Sequence, residues 1–317
     1  MENILCTGEA LIDMICTDKG QSLSEGLHFQ KKAGGAPTNV AAAIAALGGR
    51  VSLVACVGDD PFGHHLRDTM ASFGVDTQWM VMDKRHFTTL AFVSLMENGE
   101  RDFYFNRGAD GELSLDDIPG MNTRNFGIFH FGSATAFLPG PLQGTYRDIL
   151  LRARGQDGFV SFDPNYRNLL FADRQESFIH QSWYFLEASD FFKVSDEEAM
   201  LLTGSGSVDD AARALGARTR AVFAITLGKE GTLLAKGDDV RTVPSIPINA
   251  VDTTGAGDAY VGAMLYQISQ RSAAEIRQAG MDHWVTMTAN ANKAGARTCA
   301  YLGAMEAFRH LSNQIFE

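Results

Sequence analysis

One short segment of the sequence places a carboxylate beside a glycine-rich turn. Residues 252–258 read Asp-Thr-Thr-Gly-Ala-Gly-Asp, and apolar, helix-compatible residues follow. Backbone N–H groups of such a turn lie at the positive end of the helix, which is typical of an anion site. Asp258 would repel a resting phosphate, but it could accept the proton of a hydroxyl that attacks the phosphate. The segment therefore predicts phosphoryl transfer, and a capping role for Asp258 is compatible with it.

A second glycine-rich turn is suited to a polar, hydroxyl-bearing ligand. Residues 33–41 read Ala-Gly-Gly-Ala-Pro-Thr-Asn-Val-Ala and open an alanine-rich helix. Gly34 and Gly35 allow close approach of the backbone, and Asn39 offers both a donor and an acceptor. By itself this pattern is equally typical of a tight strand-to-helix turn.

Several other functional classes are excluded by missing motifs. Lys229 in the segment Gly-Lys-Glu-Gly has no Ser or Thr after it, so a P-loop is absent. Tyr260 occupies the third glycine position of a dinucleotide fingerprint, which argues against a nicotinamide-dependent oxidoreductase. His64 and His65 lack partners at metal-binding spacing, and no Gly-x-Ser-x-Gly elbow occurs.

The composition indicates which classes of partner are disfavoured and in which cellular compartment the protein is expected. The 317 residues carry 27 Lys and Arg against 38 Asp and Glu, a net charge of −11, which disfavours nucleic acid and anionic membranes as partners. The four cysteines form no Cys-x-x-Cys pair, so we expect reduced thiols. Neither a signal peptide nor a run of 18 apolar residues is evident. We therefore expect a cytoplasmic protein.

The elements that must position these residues alternate between strand and helix. Helices are predicted over residues 38–47 and from Asp60-Pro61 to Phe73-Gly74. Strands are predicted over residues 4–8, 51–57, 126–131, 158–162, 191–194 and 221–226. Alternation of this kind indicates a mostly parallel sheet covered by helices on both faces, here as a single domain over residues 1–317.

Two segments, residues 13–32 and 88–107, break this alternation. The first has no good helix, and the second alternates apolar and polar residues around a turn at Asn98 and Gly99, as a hairpin does. We interpret both as a small β-stranded lid over one end of the sheet. An edge extension or a homodimer surface is the alternative, and both roles can hold together.

The two glycine-rich segments together resemble the signatures of the ribokinase/PfkB family of carbohydrate kinases. The resemblance covers nearly the whole chain, from residues 8–13 through 58–63 to 291–292 and 303–304. It implies a ribokinase-like three-layer α/β/α sandwich with a lid. It also implies transfer of the γ-phosphate of ATP to a sugar hydroxyl, with Mg²⁺ and usually K⁺ bound.

The resemblance also implies roles for individual residues. The base and the anion hole would be Asp258, Gly255, Ala256 and Gly257. The sugar contacts would include Asp13, Gly34, Gly35 and Asn39. The nucleotide and its phosphates would contact Lys193, Glu198, Thr226, Gly228, Gly231 and Asn292. The monovalent cation would lie near Asp252, Thr254, Thr298 and Gly303, and Glu198 would organise Mg²⁺ through water. Loop capping by Asp252 and a solvated Lys193 are the alternatives.

Two residues depart from the family pattern. Ser195 stands where the Asn-x-x-Glu motif has its Asn, and Phe308 stands where Pro is usual. The first departure puts the second partner of the magnesium site in doubt, and the second affects a turn near the nucleotide.

The acceptor sugar is predicted from three shorter segments. Residues 107–110, 162–167 and 193–198 resemble the fructokinase branch. Arg167 would clamp the substrate or the γ-phosphate, or else pair with Asp163. Phe103 and Arg107 would reach the sugar from the lid, unless Phe103 and Phe105 only pack as a core face. Fructose is the predicted substrate. The alternatives are 2-keto-3-deoxygluconate, ribose, aminoimidazole riboside, and a non-catalytic sensor of sugar or nucleotide.

Overall fold

The computed structural model describes residues 1–96 and 101–316, so the turn predicted at Asn98 and Gly99 lies outside the described residues. The strands, in chain order, are β1 (Ile4–Thr7), β2 (Leu11–Cys16), β3 (Phe29–Gly34), β4 (Val51–Gly58), β5 (Met80–Asp83), β6 (Leu90–Leu95), β7 (Arg101–Asn106), β8 (Ile128–Phe131), β9 (Phe159–Phe162), β10 (Phe191–Ser195), β11 (Val222–Thr226), β12 (Thr232–Lys236) and β13 (Asp239–Val243). The helices are α1 (Ala36–Ala46), α2 (Pro61–Phe73), α3 (Pro141–Gly155), α4 (Asn168–Phe171), α5 (Gln175–Ala188), α6 (Asp196–Thr203), α7 (Val208–Arg218), α8 (Ala256–Ser269), α9 (Ala273–Gln278), α10 (Met281–Thr298) and α11 (Ala304–Phe308).

The described strands form a nine-stranded main sheet in the order β13-β12-β11-β10-β9-β8-β1-β4-β5. Paired strands are parallel except at one edge, where β12 runs antiparallel to β11 and β13. Every residue of β1, β4, β8 and β9 is buried, as expected for parallel strands covered on both faces. The predicted α/β sandwich with a mostly parallel sheet is confirmed.

An apolar layer lies on each face of the main sheet. Val40 of α1, Tyr260 of α8 and Trp284 of α10 belong to the layer on one face. Tyr146 of α3 and Phe185 of α5 belong to the layer on the other, where the aromatic rings pack at centroid distances near 5.0 Å. Helices α1 and α8, which follow the two glycine-rich turns, pack on the first face, and α6 packs on the other.

Local sequence explains where the first two helices begin and end. Asp60 accepts hydrogen bonds from the N–H groups of Phe62 and Gly63 at 2.9 Å, and Gly74 ends α2 in the left-handed conformation. Helix α1 begins at Ala36, two residues before the predicted start at residue 38, because Gly35 turns the chain with φ 106° and Pro37 fits the first turn.

Helices α1 and α8 pack without a gap between their backbones. A Cβ atom added to Gly262 would lie 2.7 Å from the Cβ of Ala43, closer than such atoms approach. Gly262 therefore lets the two helices that carry the glycine-rich turns meet directly.

A small second sheet, in the order β3-β2-β6-β7, forms the lid. Its strands extend over residues 11–34 and 90–106, so Asp13 lies inside β2. The chain passes between the lid and the main sheet at four places, residues 8–10, 35–36, 88–89 and 107–110.

Within residues 1–96 and 101–316, no helix combines the length and the apolar character needed to cross a membrane. Cys6, Cys56 and Cys299 are buried and Cys16 is half-buried, and all four thiols are free.

Candidate active site

The N-terminus of α8 presents a cradle of backbone amides. Gly255 precedes the helix with φ 80°, and a side chain there would collide with Ala304. Gly257 and Asp258 lie in the first turn, where a helix supplies no carbonyl for their N–H groups. The N–H of Ala256, predicted to join the anion hole, instead donates to the carbonyl of the residue three positions earlier, at 3.2 Å. The amides of Gly257 and Asp258 therefore remain to bind an anion.

Asp258 is the third residue of α8, and Gly255, not Asp258, is the N-cap. Its Oδ2 accepts a hydrogen bond from Nδ2 of Asn39 at 2.8 Å. Burial raises the pKa of Asp258, against the opposing effects of this hydrogen bond and of the charges on Arg167 and Lys193. A raised pKa increases the affinity of the carboxylate for a proton, which is what a general base needs.

The Asn39 side chain joins the two glycine-rich turns. It is buried on α1, next to the predicted acceptor turn, and its donor reaches the carboxylate on α8. Its Oδ1 has no hydrogen-bond partner among the described residues. A buried acceptor without a partner is suited to a ligand hydroxyl.

Lys193 lies directly beneath the cradle. Its Nζ contacts Oδ2 of Asp163 at 3.1 Å, and a Cβ atom on Gly257 would lie 3.4 Å from it. Burial opposes the charge, but Asp163, Glu198 and Asp258 outweigh burial and raise the pKa of Lys193. The alternative of a solvated Lys193 is wrong. The alternative ion pair of Arg167 with Asp163 is wrong too, because Asp163 binds Lys193.

Ser195 and Glu198 form a capping box at the start of α6. Ser195 Oγ accepts from the Glu198 N–H at 3.1 Å, and Glu198 Oε2 accepts from the Ser195 N–H at 2.8 Å. Glu198 Oε1 accepts from the N–H of Tyr166 at 2.9 Å. Each carboxylate oxygen thus keeps a lone pair, so Glu198 fits the role predicted for it, holding magnesium-bound water. Ser195 supplies the helix cap that an Asn would also supply.

Direct metal coordination is a separate question. Among the residues that the structure describes, no group of three or more His, Cys, Asp or Glu side chains could hold a metal ion. A magnesium ion here would therefore need water and phosphate oxygens as most of its ligands.

Asp13 and Arg167 approach the base from the lid side. The Asp13 carboxylate fills the space that a Cβ on Gly34 would need. Burial raises the pKa of Asp13 to about 6, and the charge of Arg167 opposes this rise. The same guanidinium lowers the pKa of Asp258, so Arg167 lies near both carboxylates. The Asp13 carboxylate accepts no hydrogen bond within the described residues, which leaves its oxygens for ligand hydroxyls.

The lid presents an aromatic row on the same face as Asp13. The strand register aligns Asp13 with Ala91 and Phe105, and Phe103 shares that face two residues away. The rings of Phe103 and Phe105 stack at 6.3 Å and line an open groove of about 460 Å³ with Leu169. Phe103 therefore lies on the same face of the lid as Asp13, the residue predicted to bind the sugar.

Arg107 makes its contacts within the protein itself. Its guanidinium donates to the carbonyls of Pro139, at 2.6 Å, and Thr135, at 3.2 Å, and pairs with Asp110 at 3.4 Å. The structure places Arg107 at the base of the lid and engages it there, where sequence analysis predicted a sugar contact.

The predicted nucleotide loop follows β11. Thr226 pairs with Ser195 in the strand register, so the loop starts beside α6. Gly228 has φ 56°, and Gly231 has φ 110° with no room for a side chain against Val243. The N–H of Leu227 donates to the Gly231 carbonyl at 2.8 Å and closes the turn. Backbone at Gly228 is exposed and accessible to a phosphate.

Asn292 lies on α10 beside this loop. Its Oδ1 accepts from Thr232 Oγ1 at 2.7 Å, and its Nδ2 donates to the carbonyls of Val243, at 2.9 Å, and Pro244, at 3.3 Å. Asn292 therefore ties the helix to β12 and β13, at the border of the predicted adenine site.

The predicted cation loop is joined to the end of α10. Asp252 Oδ1 accepts from Thr254 Oγ1 at 2.7 Å, and Oδ2 accepts from the Gly303 N–H at 2.8 Å. The Val251 N–H donates to the Cys299 carbonyl at 2.7 Å. Thr298 uses its hydroxyl within α10, so its contribution to a cation would be its carbonyl. The predicted ligands are close in space, and Asp252 also caps its loop.

Sequence reasoning gave no role in the site to three buried polar residues, Glu9, Asp110 and Asn165, and it named a fourth, Asp163, only as an alternative partner of Arg167. Asn165 has φ 49° and donates through Nδ2 to the Gly132 carbonyl at 3.0 Å, so it shapes the turn that carries Arg167. The Pro-Asn pair at residues 164–165 could have predicted this turn, because Asn tolerates the left-handed backbone conformation.

The amide cradle, the buried carboxylate of Asp258 and the unpartnered Oδ1 of Asn39 are features that suit a phosphotransferase acting on a hydroxyl group. The model of the pfkB family of carbohydrate kinases matches residues 1–310. The protein therefore belongs to the pfkB family of carbohydrate kinases, and its acceptor is a sugar hydroxyl.

Individual relatives agree with this membership. Fructokinase-1 of Oryza sativa subsp. japonica is 37% identical over 309 residues, which cover 96% of this chain and 94% of the relative. The structure of a fructokinase from Xylella fastidiosa with bound ATP superposes with a TM-score of 0.86 at 30% identity, covering 99% of this chain and 96% of that one. A double mutant of the Vibrio cholerae O395 fructokinase, with fructose, ADP and potassium ion bound, has a TM-score of 0.82 at 30% identity and covers 100% and 97%.

Proposed function

We propose that this chain is a fructokinase that transfers the γ-phosphoryl group of ATP to a primary hydroxyl of fructose. The observation that carries the proposal is the contact between Asn39 and Asp258. It brings the acceptor turn on α1 to the base on α8, at the mouth of the amide cradle. The fructokinase relatives support fructose among the possible sugars.

The acceptor sugar would bind between the lid and α1. Asp13 and the free Oδ1 of Asn39 accept hydrogen bonds from sugar hydroxyls. Gly34 leaves room for the Asp13 carboxylate, and Gly35 turns the chain into α1, which carries Asn39. Phe103 covers the sugar from the lid. The hydroxyl oxygen of the sugar then bonds to the γ-phosphorus while the bond from that phosphorus to ADP breaks, and Asp258 accepts the hydroxyl proton.

The phosphoryl group would lie over the cradle during transfer. The amides of Gly257 and Asp258 donate to its oxygens, and Lys193 lies close enough beneath them to offset the developing charge. Arg167, near both Asp13 and Asp258, would clamp the acceptor or the phosphoryl group from the other side.

The nucleotide would occupy the other side of the cradle. Thr226, Gly228 and Gly231 would hold its phosphates, and Asn292 would border the adenine. Glu198 would orient magnesium-bound water, and magnesium would neutralise the phosphate oxygens. The carboxylate of Asp252 and the carbonyls of Thr254, Thr298 and Gly303 would hold K⁺ behind the cradle.

The substrate is tested by ADP release in the presence of ATP, Mg²⁺ and K⁺. We expect the highest kcat/KM with fructose among fructose, ribose, 2-keto-3-deoxygluconate and aminoimidazole riboside. A higher kcat/KM with another acceptor would support the kinase activity but contradict fructose as the substrate. Binding of sugar or ATP without any turnover would favour the sensor.

Replacing the base tests the mechanism. Asp258→Asn keeps the size of the side chain and removes the proton acceptor, so kcat should fall by about 10²–10⁴-fold. The KM for the sugar should change little, because Asn39 and Asp13 remain. Asp282→Asn, an exposed carboxylate in the first turn of α10, is the matched control. Turnover of Asp258→Asn close to wild type would contradict the mechanism.

We also propose that the chain acts as one kinase domain in the cytoplasm and dimerises through its lid. The aromatic face of the lid supports the dimer: Phe29, Phe92 and Tyr104 form a row with centroid distances of 6.2 and 6.3 Å, and Tyr104 is 61% exposed. Tyr104→Glu should then convert a dimeric mass in solution to a monomeric one. A monomeric wild type would contradict the dimer.

A further inference from the structure

Two buried carboxylates lie where the lid joins the main sheet, outside the residues assigned above to sugar, nucleotide or cations. Glu9 and Asp110 are each 1% exposed. An ionised carboxylate with so little exposure needs hydrogen-bond donors to offset its lost hydration. The hydrogen-bond donors of Glu9 and of Asp110 show which segments of the chain the two carboxylates connect.

Glu9 lies in residues 8–10, the first connection between the main sheet and the lid. Its side chain binds the second connection, residues 35–36. Its Oε1 accepts from the N–H of Ala36, the first residue of α1, at 2.9 Å. The same oxygen accepts from the Ala134 N–H at 3.3 Å, and Oε2 accepts from the hydroxyl of Ser133. The backbone carbonyl of Glu9 also accepts from Thr38 Oγ1 at 2.9 Å.

Asp110 lies in residues 107–110, the fourth connection between the lid and the main sheet. Its side chain binds the third connection, residues 88–89. Its Oδ1 accepts from the hydroxyl of Thr89, which in turn accepts from the Gly108 N–H at 2.9 Å. Its Oδ2 accepts from Thr135 Oγ1 at 2.7 Å and from Nε of Arg107 at 3.4 Å.

A two-residue bridge joins the carboxylates. The Ser133 hydroxyl donates to Glu9 and the Thr135 hydroxyl donates to Asp110, and the N–H of Thr135 donates to Ser133 Oγ at 3.2 Å. Ser133 and Thr135 follow β8 of the main sheet, and both are buried. One continuous polar network therefore contacts all four connections between the lid and the main sheet.

We propose that Glu9 and Asp110 are positioning residues that set the orientation of the lid over the acceptor site. Their carboxylates are buried and bind protein donors, and neither is among the residues assigned to a ligand. They act through the connections of β2, β3, β6 and β7, and so place Asp13 and Phe103 relative to Asn39. The effect on the acceptor rests on the proposed function, whereas the effect on the lid itself does not.

The test compares Glu9→Gln and Asp110→Asn with Asp190→Asn in the full-length protein. Asp190 matches them as a mostly buried carboxylate, because it accepts from the Val160 N–H at 2.8 Å and pairs with Arg277 at 2.8 Å. It precedes β10, at the opposite end of the sheet from the lid. Thr135→Val, which removes only the bridging hydroxyl, replaces either variant that fails to fold.

Two measurements are made on each variant, steady-state kinetics and amide hydrogen exchange. We expect the KM for the acceptor sugar to rise at least 5-fold in Glu9→Gln and Asp110→Asn, with kcat and the KM for ATP within 2-fold of wild type. Exchange should accelerate at least 10-fold in the described parts of β2, β3, β6 and β7, and not in β9 or β10. Asp190→Asn should show neither effect.

Unchanged exchange in the lid strands would overturn the proposal, as would acceleration shared equally with β9 and β10. A fall in kcat with an unchanged sugar KM would overturn it too. If the wild type phosphorylates none of the sugars, the proposed function fails, and hydrogen exchange alone still decides whether the network orients the lid.

Discussion

At the scale of single residues, the ammonium of Lys193 determines the charge of the site. Three carboxylates, those of Asp163, Glu198 and Asp258, raise its pKa, and the nearest of them is 3.1 Å away. Lys193 in return lowers the pKa of Asp258. The same charge thus lies beside the start of α8 and lowers the pKa of the proposed base.

Lys193→Met separates these effects through the pH profile. Loss of the positive charge removes an influence that lowers the pKa of Asp258, so that pKa should rise further. The acidic limb of kcat/KM should therefore move to higher pH, and kcat should fall by about 10²-fold. Lys84→Met, an exposed lysine after β5, is the control. An acidic limb at its wild-type position would contradict the coupling.

The sequence alone predicted roles for the glycines of both turns and for the carboxylates of residues 252–258, because spacing and residue type mark them. It did not decide whether Lys193 contacts phosphate or is exposed to solvent, since the sequence around a lysine at a strand end does not show whether the lysine is buried. Glu9 and Asp110 escaped notice for a related reason. Glu9 contacts Ser133 across 124 residues, and Asp110 contacts Thr89 and Thr135 across 21 and 25 residues, and no local sequence pattern reports such contacts.

At the scale of elements, the capping box of α6 holds the start of the helix that carries Glu198. Ser195→Ala removes the acceptor for the Glu198 N–H, which should lower the free energy of unfolding by about 1 kcal/mol. The start of α6 should loosen, and the KM for ATP should rise several-fold because Glu198 loses its fixed orientation.

The matched control for this change is Ser272→Ala, since α9 begins with the same capping box through Glu275. Ser272→Ala should lower stability by a similar amount, as measured by urea unfolding, and leave the KM for ATP unchanged. Equal changes in KM for the two variants would show that capping at α6 has no specific part in nucleotide binding.

Element prediction succeeded for the buried parallel strands and failed at both edges of the main sheet. The apolar runs of β1, β4 and β8 were found within two residues of their ends. Strands β5, β12 and β13 were missed, although four of the five residues of β12 are buried. Strand β13 has three exposed residues among its five, so its identity depends on hydrogen bonds to β12 and not on an apolar pattern.

At the scale of the whole molecule, buried carboxylates give the fold a particular dependence on pH. Burial raises the pKa of Glu9 to about 7, with hydrogen bonds from Ser133 and Ala36 opposing the rise and the charge of Asp110 adding to it. The folded state therefore binds this proton more tightly than the unfolded chain does. Its contribution to stability is complete below the usual pKa of Glu and is lost as pH rises through about 7.

Urea unfolding between pH 5 and pH 8 measures this contribution. The rise in the pKa of Glu9 from 4.5 to about 7 corresponds to about 3 kcal/mol, so stability from this group should decrease with rising pH. Glu9→Gln should flatten the profile, and Glu306→Gln, an exposed change of the same type, should not. A Glu9→Gln profile parallel to that of the wild type would contradict the assignment.

The close packing of Gly262 against Ala43 has a consequence for how this enzyme could acquire a new substrate. Because α1 and α8 meet backbone to backbone, the acceptor turn and the base are parts of one rigid body, and neither can shift without the other. Room for a larger or differently shaped acceptor must then come from the other side of the site. Directed evolution towards new sugars should accumulate its productive changes in the lid and leave the interface between the two helices untouched.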